Sequence, residues 1–237
     1  MAIGDFVGKF GSFGSGDGQF ISPIGIDVDS NYIYVADVIN RRIQIFNIAS
    51  PYSFVAKFGS FGSGDGQFKN PIGIDVDSNY IYVADITNNR VQIFNIASPY
   101  SFVAKFGSFG SGDGQFSAPR GIKIDSNYIY VVEQNNNRVQ IFNIASPYAF
   151  VAKFGSLGNG DGQFDSPLGI NINLDFVYIA DDGNRRVQIF NITFPYAYVT
   201  KFGSAGSGDG QFNSPREINV DSNYIYVTDT TNNRVQI

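Results

Sequence analysis

The chain has no cysteine, no histidine and no tryptophan among its 237 residues. Without cysteine there is no disulfide framework and no thiol chemistry. Without histidine, the commonest general base and the commonest neutral metal ligand are both missing. Strong helix formers are scarce: there are three leucines (Leu157, Leu168, Leu174) and two glutamates (Glu133, Glu217). No apolar run approaches the roughly 20 residues that a membrane-spanning helix needs. The opening residues MAIGDFVGKF are too short and wrongly patterned for a secretory signal. The net charge of −5 gives little of the counterion release that drives nucleic-acid binding. What is abundant is aromatic and β-branched: 14 Tyr and 23 Phe, with many Ile and Val. Such side chains suit a pleated, packed surface and favour strands over helices.

The aromatic residues recur with a period. Lys-Phe-Gly appears at Lys9, Lys57, Lys105, Lys153 and Lys201, always 48 residues apart. Lys9–Ala56 and Lys57–Ala104 differ at only six positions. A fixed period of this size marks a solenoid, a propeller or another array. Within one unit, Pro23–Val28 alternates Ile24, Ile26 and Val28 on one face, and Asp29-Ser30-Asn31 signals a turn. Tyr32–Ala36 reads as a second strand and Arg42–Asn47 as a third. Ala49-Ser50-Pro51-Tyr52 is a turn in which proline fixes φ, and Phe54–Phe58 is a fourth strand. A Gly-rich connection, Gly59–Gln67, leads into the next unit.

A four-stranded meander with apolar residues on both faces must stack on its neighbours to bury them. Radial stacking of such blades makes a β-propeller with short, protected edges, whereas a linear stack would need polar end repeats that are not seen. The expected fold is therefore all-β: one domain over residues 1–237, a propeller of five four-stranded blades with repeats starting near 9, 57, 105, 153 and 201. The opening segment Phe6–Phe10 reads as an outer strand with no blade of its own, and the last unit, Pro215–Ile237, lacks one. The first strand is thus expected to complete the last blade.

At Gly64–Phe68, Pro71–Asp77, Tyr80–Asp85 and Asn88–Phe94 the unit reads GQF…P-x-GI-x-V-D…YIYVAD…NNRVQIF. This pattern resembles the NHL repeat, and it recurs over essentially the whole chain. The resemblance implies a propeller, most often of six blades, so five repeats imply either a five-blade ring or blades shared between chains. It implies binding of proteins, RNA or small ligands. Some relatives are metal-dependent lyases or hydrolases that rely on histidine and clustered acidic ligands, and histidine is absent here.

The segment Gly14-Ser15-Gly16-Asp17-Gly18 lacks the Lys-Ser/Thr and following helix of a phosphate loop, so its glycines are read as supplying positive φ between blades. Asp27-Val28-Asp29-Ser30-Asn31 lacks the glycine and distal glutamate of a calcium loop and is read as a turn. An acidic residue ends the second strand of every repeat, with an arginine five residues on: Asp37 and Arg42, Asp85 and Arg90, Glu133 and Arg138, Asp181 and Arg186, Asp229 and Arg234. These are expected to be structural bidentate pairs, since an active site needs unlike groups in unlike roles. The constant Gln44, Gln92, Gln140, Gln188 and Gln236 are expected to bridge strands.

The repeats disagree at the entry to strand one and in the loop after strand two, two regions that a meander places at one end. That individualised face is the expected ligand-binding surface, with Arg120, Arg216, Glu217, Lys69, Val38, Ile39, Ile86, Gln134 and Asp182 as candidate contacts. Arg120 and Arg216 replace an apolar residue and point to a carboxylate or other anion, while Val38, Ile39 and Ile86 point to an apolar patch. The functional expectation is a non-catalytic binding module for a protein or small-molecule ligand, with no catalytic residues, metal or cofactor. Nucleic acid and membrane are not expected partners. A monomer is expected, with a blade-sharing oligomer as the alternative. Two other readings stand beside it: a calcium-type metal-dependent hydrolase or lyase using Asp27, Asp75, Asn171 and Asn219, and RNA binding by the variable face.

Overall fold

The computed structural model describes residues 7–237. They are all-β, with no helix, and every repeat folds as an antiparallel blade. Blade 1 consists of Pro23–Val28, Tyr32–Asp37, Arg42–Asn47 and Phe54–Phe58; blade 2 of Pro71–Val76, Tyr80–Asp85, Arg90–Asn95 and Phe102–Phe106. Blade 3 is Pro119–Ile124, Tyr128–Glu133, Arg138–Asn143 and Phe150–Phe154; blade 4 is Pro167–Ile172, Phe176–Asp181, Arg186–Asn191 and Tyr198–Phe202. Blade 5 has three strands among the described residues, Pro215–Val220, Ile225–Asp229 and Arg234–Gln236. This is the blade architecture of a five-bladed β-propeller. The chain falls into two compact units, Met1–Lys105 and Phe106–Ile237.

In the first unit, Tyr34, Ala36, Ile43 and Ile45 of blade 1 pack with Phe68, Ile74, Val83 and Phe94 of blade 2, all buried. Phe58, at the end of the outer strand of blade 1, stacks on Tyr100 at 6.1 Å and lies 4.6 Å from Phe94, both on blade 2. The alternation of the sequence explains this: each blade turns one aromatic and aliphatic face forward and another back, and only the next blade can cover them. Gly25 lets the first strands approach, since a Cβ there would meet the Ile72 carbonyl oxygen at 1.9 Å. In the second unit the same pattern buries Tyr130, Val139 and Ile141 against Phe164, Ile170 and Phe190, and Tyr178 and Val187 against Phe212, Ile218 and Val227.

Two expectations change. The second strand runs one residue further than the apolar pattern suggests, to the acidic position, because Asp37 pairs across the ladder with Arg42. Of the expected opening strand, Phe6 lies outside the described residues, and residues 7–10 are not in a strand. Phe10 is held by ring packing on Phe20, Phe46 and Tyr52 at 6.2, 4.6 and 5.8 Å. A strand exists only where a partner satisfies its backbone, and aromatic packing alone does not create one.

Candidate functional site

The site is built on a buried carboxylate. Asp37 is fully buried and accepts from Arg42 Nε at 2.8 Å, Asn40 Nδ2 at 2.9 Å, Gln44 Nε2 at 3.2 Å and the backbone N–H of Ile21 at 2.9 Å. The other Arg42 nitrogens donate to the carbonyls of Ser15, Gly16 and Gln19, each at 2.8 Å. Gln44 donates to Gln19 O and accepts from Gly18 N–H. The expected bidentate pair is therefore corrected: one Arg nitrogen meets the carboxylate, and the remaining donors clamp the Gly-rich loop. The glutamine likewise ties loop to strand. The loop offers several inward carbonyls, and a planar guanidinium with five donors satisfies them together.

The other repeats carry this hub with small differences. The Arg Nε to carboxylate distance is 2.5 Å at Arg138 and Glu133, 2.8 Å at Arg186 and Asp181, and 3.1 Å at Arg234 and Asp229. It opens to 3.6 Å at Arg90 and Asp85. At Asp181 and Asp229 desolvation is the largest influence and works upward. At Asp181 it prevails and raises the pKa. At Asp229, bonds from the Asn213 and Ser214 N–H groups, Asn232 and Arg234 overcome it and hold the carboxyl below its usual range.

Because the carboxylate caps the entry to strand one, it sets that segment beside the loop after strand two. Val38 N–H donates to Ser22 O and Ile39 N–H to Ile21 O; Ile86 N–H donates to Asn70 O; Gln134 N–H donates to Ala118 O; Thr230 N–H donates to Ser214 O. The two variable regions of each repeat thus meet at one end of the blade. The first strand then bulges, its register shifting between Pro119 and Ile122 in blade 3 and between Pro215 and Ile218 in blade 5. Bulges re-aim side chains, and Arg120, Arg216 and Glu217 all sit in one.

In the second unit these residues form a charged cluster. Arg120 is half-buried. Burial first, and then the charge of Arg216, pull its pKa below the usual arginine value, against the pull of Glu217 and Asp182. Its Nε is buried with no hydrogen-bond partner. Arg216 Nε donates to Ser214 Oγ at 3.3 Å, and Ser214 Oγ donates to Asp182 Oδ1 at 2.7 Å. Desolvation raises the pKa of Glu217, opposed by Arg120, Lys123 and Arg216. Glu217 is nonetheless exposed to solvent, which weakens any such shift. Lys123 was missed from the sequence, although it breaks the column Asp27, Asp75, Asn171, Asn219 and so carried a signal.

The remaining candidates are more dispersed. Val38 is buried at 7% exposure while Ile39 is 50% exposed, and Ile86 is half-buried. The apolar patch expected in the first unit loses Val38, whose loop folds it inward. Lys69 is exposed and Gln134 half-buried. The oxygens of the metal reading have protein partners: Asp27 Oδ2 accepts from Val76 N–H at 2.8 Å, and Asn171 Nδ2 donates to Asn219 Oδ1 at 3.0 Å. Among the described residues no three acidic side chains converge as metal ligands. The calcium-like segment is a turn, with Asp29 Oδ1 accepting from the N–H groups of Asn31 and Tyr32 and Oδ2 from the Tyr34 hydroxyl.

Neither a protein-family model nor a curated protein matches the sequence. Solved structures do resemble the fold. An auxiliary nutrient binding protein from Bacteroides ovatus aligns with a TM-score of 0.67 at 15% identity, over 92% of this chain and 58% of that one. A streptogramin B lyase aligns at 0.64 and 13%, over 90% and 64%. A functionally unknown protein from Desulfotomaculum acetoxidans aligns at 0.64 and 15%, over 90% and 67%. The chain spans about two thirds or less of the length of these three structures. Identities this low speak to fold alone, and the fold of these neighbours is the β-propeller.

Proposed function

We propose that this chain is a non-catalytic binding module of NHL-repeat type whose individualised face takes a small ligand by its carboxylate. The observation that carries the reading is Arg120, a half-buried guanidinium whose Nε has no hydrogen-bond partner. A buried donor left without an acceptor is costly, and a ligand carboxylate would supply acceptors to this guanidinium. Arg216 stands close enough to depress the pKa of Arg120, so one anion would relieve the repulsion between them. The hubs repeat one constellation in every blade, which supports a structural role for their charges rather than catalysis. A nutrient binding protein among the structural neighbours supports binding in the same coarse sense.

The test is titration calorimetry with succinate and citrate as probes. The expected result is measurable binding that R120A and R216A each weaken by about tenfold or more, the effect of losing one charge-assisted contact. Equal affinity in the wild type and both variants would overturn the reading.

A further inference from the structure

Two blade faces of a kind covered everywhere else lie open in the single chain. Ile26, on the first strand of blade 1, is 61% exposed, whereas its counterparts Ile74, Ile122, Ile170 and Ile218 are 5%, 3%, 4% and 5% exposed. Val235, on the third strand of blade 5, is 59% exposed, whereas Ile43, Val91, Val139 and Val187 are fully buried. These positions are the two halves of one interface. Ile43 of blade 1 clusters with Ile74 of blade 2, and Val187 of blade 4 with Ile218 of blade 5. The surface around Val235 is therefore built to receive a surface like that around Ile26. The third strand of blade 5 is also an open edge, with no fourth strand beside Arg234–Gln236 among the described residues. End repeats without a polar outer face need a partner.

The opening segment carries the residues of that fourth strand. Phe10 lies 4.6 Å from Phe46 and 5.8 Å from Tyr52, both of blade 1. Phe58 stands in the same way toward Phe94 and Tyr100 of blade 2, at 4.6 and 6.1 Å, and Phe154 toward Phe190 and Tyr196 of blade 4, at 4.7 and 5.6 Å. Phe58 and Phe154 each end the outer strand of the preceding blade, so Phe10 holds the place of an outer strand from a blade ahead of blade 1. Charge points the same way. Lys57 pairs with Asp17 in the Gly-rich loop that leads into its own blade. Lys105 and Asp65, Lys153 and Asp113, and Lys201 and Asp161 repeat the pair at 2.5, 2.5 and 2.6 Å. In that register Lys9 belongs with Asp209, and neither forms an ion pair among the described residues.

We infer that a second copy of this chain covers both faces. Blade 5 of one copy packs its open face on blade 1 of the next, and the opening segment of that next copy supplies the missing fourth strand. The register follows from blade 1, where Phe58 pairs with Ile43 and Lys57 with Gln44. Phe10 and Lys9 of one copy then pair with Val235 and Gln236 of the other, and Lys9 reaches Asp209 across the interface. The contact is head-to-tail, so copies close into a ring or extend in a row.

The experiment uses the full chain. Sedimentation velocity across a range of concentrations should show species larger than one 25.9 kDa chain. Ile26 and Val235 are exposed in the single chain, so I26D and V235D should leave its fold intact, which thermal melts check. Each should weaken association by about tenfold or more. Unlabelled and nitrogen-15-labelled chains are then unfolded, mixed, refolded together and coupled with a carbodiimide, which joins lysine to carboxylate where the two are paired. Peptides joining Lys9 to Asp209 should include a labelled half linked to an unlabelled one. Peptides joining Lys57 to Asp17, which pair within one chain, should not. A single 25.9 kDa species at every concentration, association untouched by I26D, or peptides joining Lys9 to Asp209 that never mix the labels would each overturn the inference.

Discussion

At the scale of single residues, the chain relies on buried carboxylates that each accept several hydrogen bonds. Asp181 accepts from Asp165 N–H, Asn184, Arg186 and Gln188 while wholly buried. Removing it leaves Arg186 as an uncompensated buried cation, which typically costs about 3–5 kcal/mol. D181A should therefore lower the urea midpoint by that equivalent, and D181A combined with R186M should recover part of the loss. An unchanged midpoint in D181A would contradict the role given to the hub. Glu217 makes the opposite prediction. Its folded pKa is raised from 4.5 by desolvation, so its contribution to stability is full below the unfolded value and is lost as pH rises through the folded one. E217Q should melt higher than the wild type at pH 7, with the difference shrinking as pH falls through the raised folded pKa and lost once pH is below about 4.5. A difference that grows on acidification would reverse that sign.

At the scale of elements, the four strands of each unit were legible because apolar alternation and turn residues fix them locally. The alternation of Pro23–Val28 and the Asp29-Ser30-Asn31 turn gave strand limits that the structure keeps. What the Gly-rich connection does was not legible. Its glycines suggested positive φ, but not that Phe61 bridges in parallel to Phe68, nor that Arg90 and Gln92 hold the loop by its carbonyls. The Arg90 and Gln92 contacts join residues more than twenty positions apart, where periodicity carries no information. Two glycines separate the causes. A Cβ on Gly25 would strike the Ile72 carbonyl, so G25A should destabilise through backbone displacement by about 1–3 kcal/mol. Gly66 has φ +74 and nothing nearer than Phe94 Cε1 at 4.0 Å, so G66A should cost about 1 kcal/mol, from the left-handed backbone alone. Equal losses in the two variants, measured by urea unfolding, would show that close approach of the strands is not limiting.

At the scale of the whole molecule, near-identical repeats divide the sequence into what folding requires and what it leaves free. The fold was readable from the constant positions. The candidate site was readable in part from the exceptions: Arg120, Arg216 and Glu217 announced themselves by breaking the pattern. Val38 did not, because nothing in a loop sequence says which of two adjacent apolar residues turns inward. The metal reading makes a separate forecast. With Asp27 and Asn171 already hydrogen-bonded to the neighbouring blade, a chelator such as EDTA should leave the melting temperature unchanged. A fall of several degrees on chelation, restored by calcium, would bring that reading back.

The most direct test of the account is nuclear magnetic resonance of the arginine Nε–Hε groups during titration with a carboxylate probe. Arg138, Arg186 and Arg234 donate Nε to hub carboxylates, whereas Arg120 Nε has no partner. The account predicts that the Arg120 signal moves and saturates, that Arg216 follows, and that the hub signals stay still. An Arg120 signal that does not respond, or one that moves only in step with the hub arginines as ionic strength rises, would contradict it.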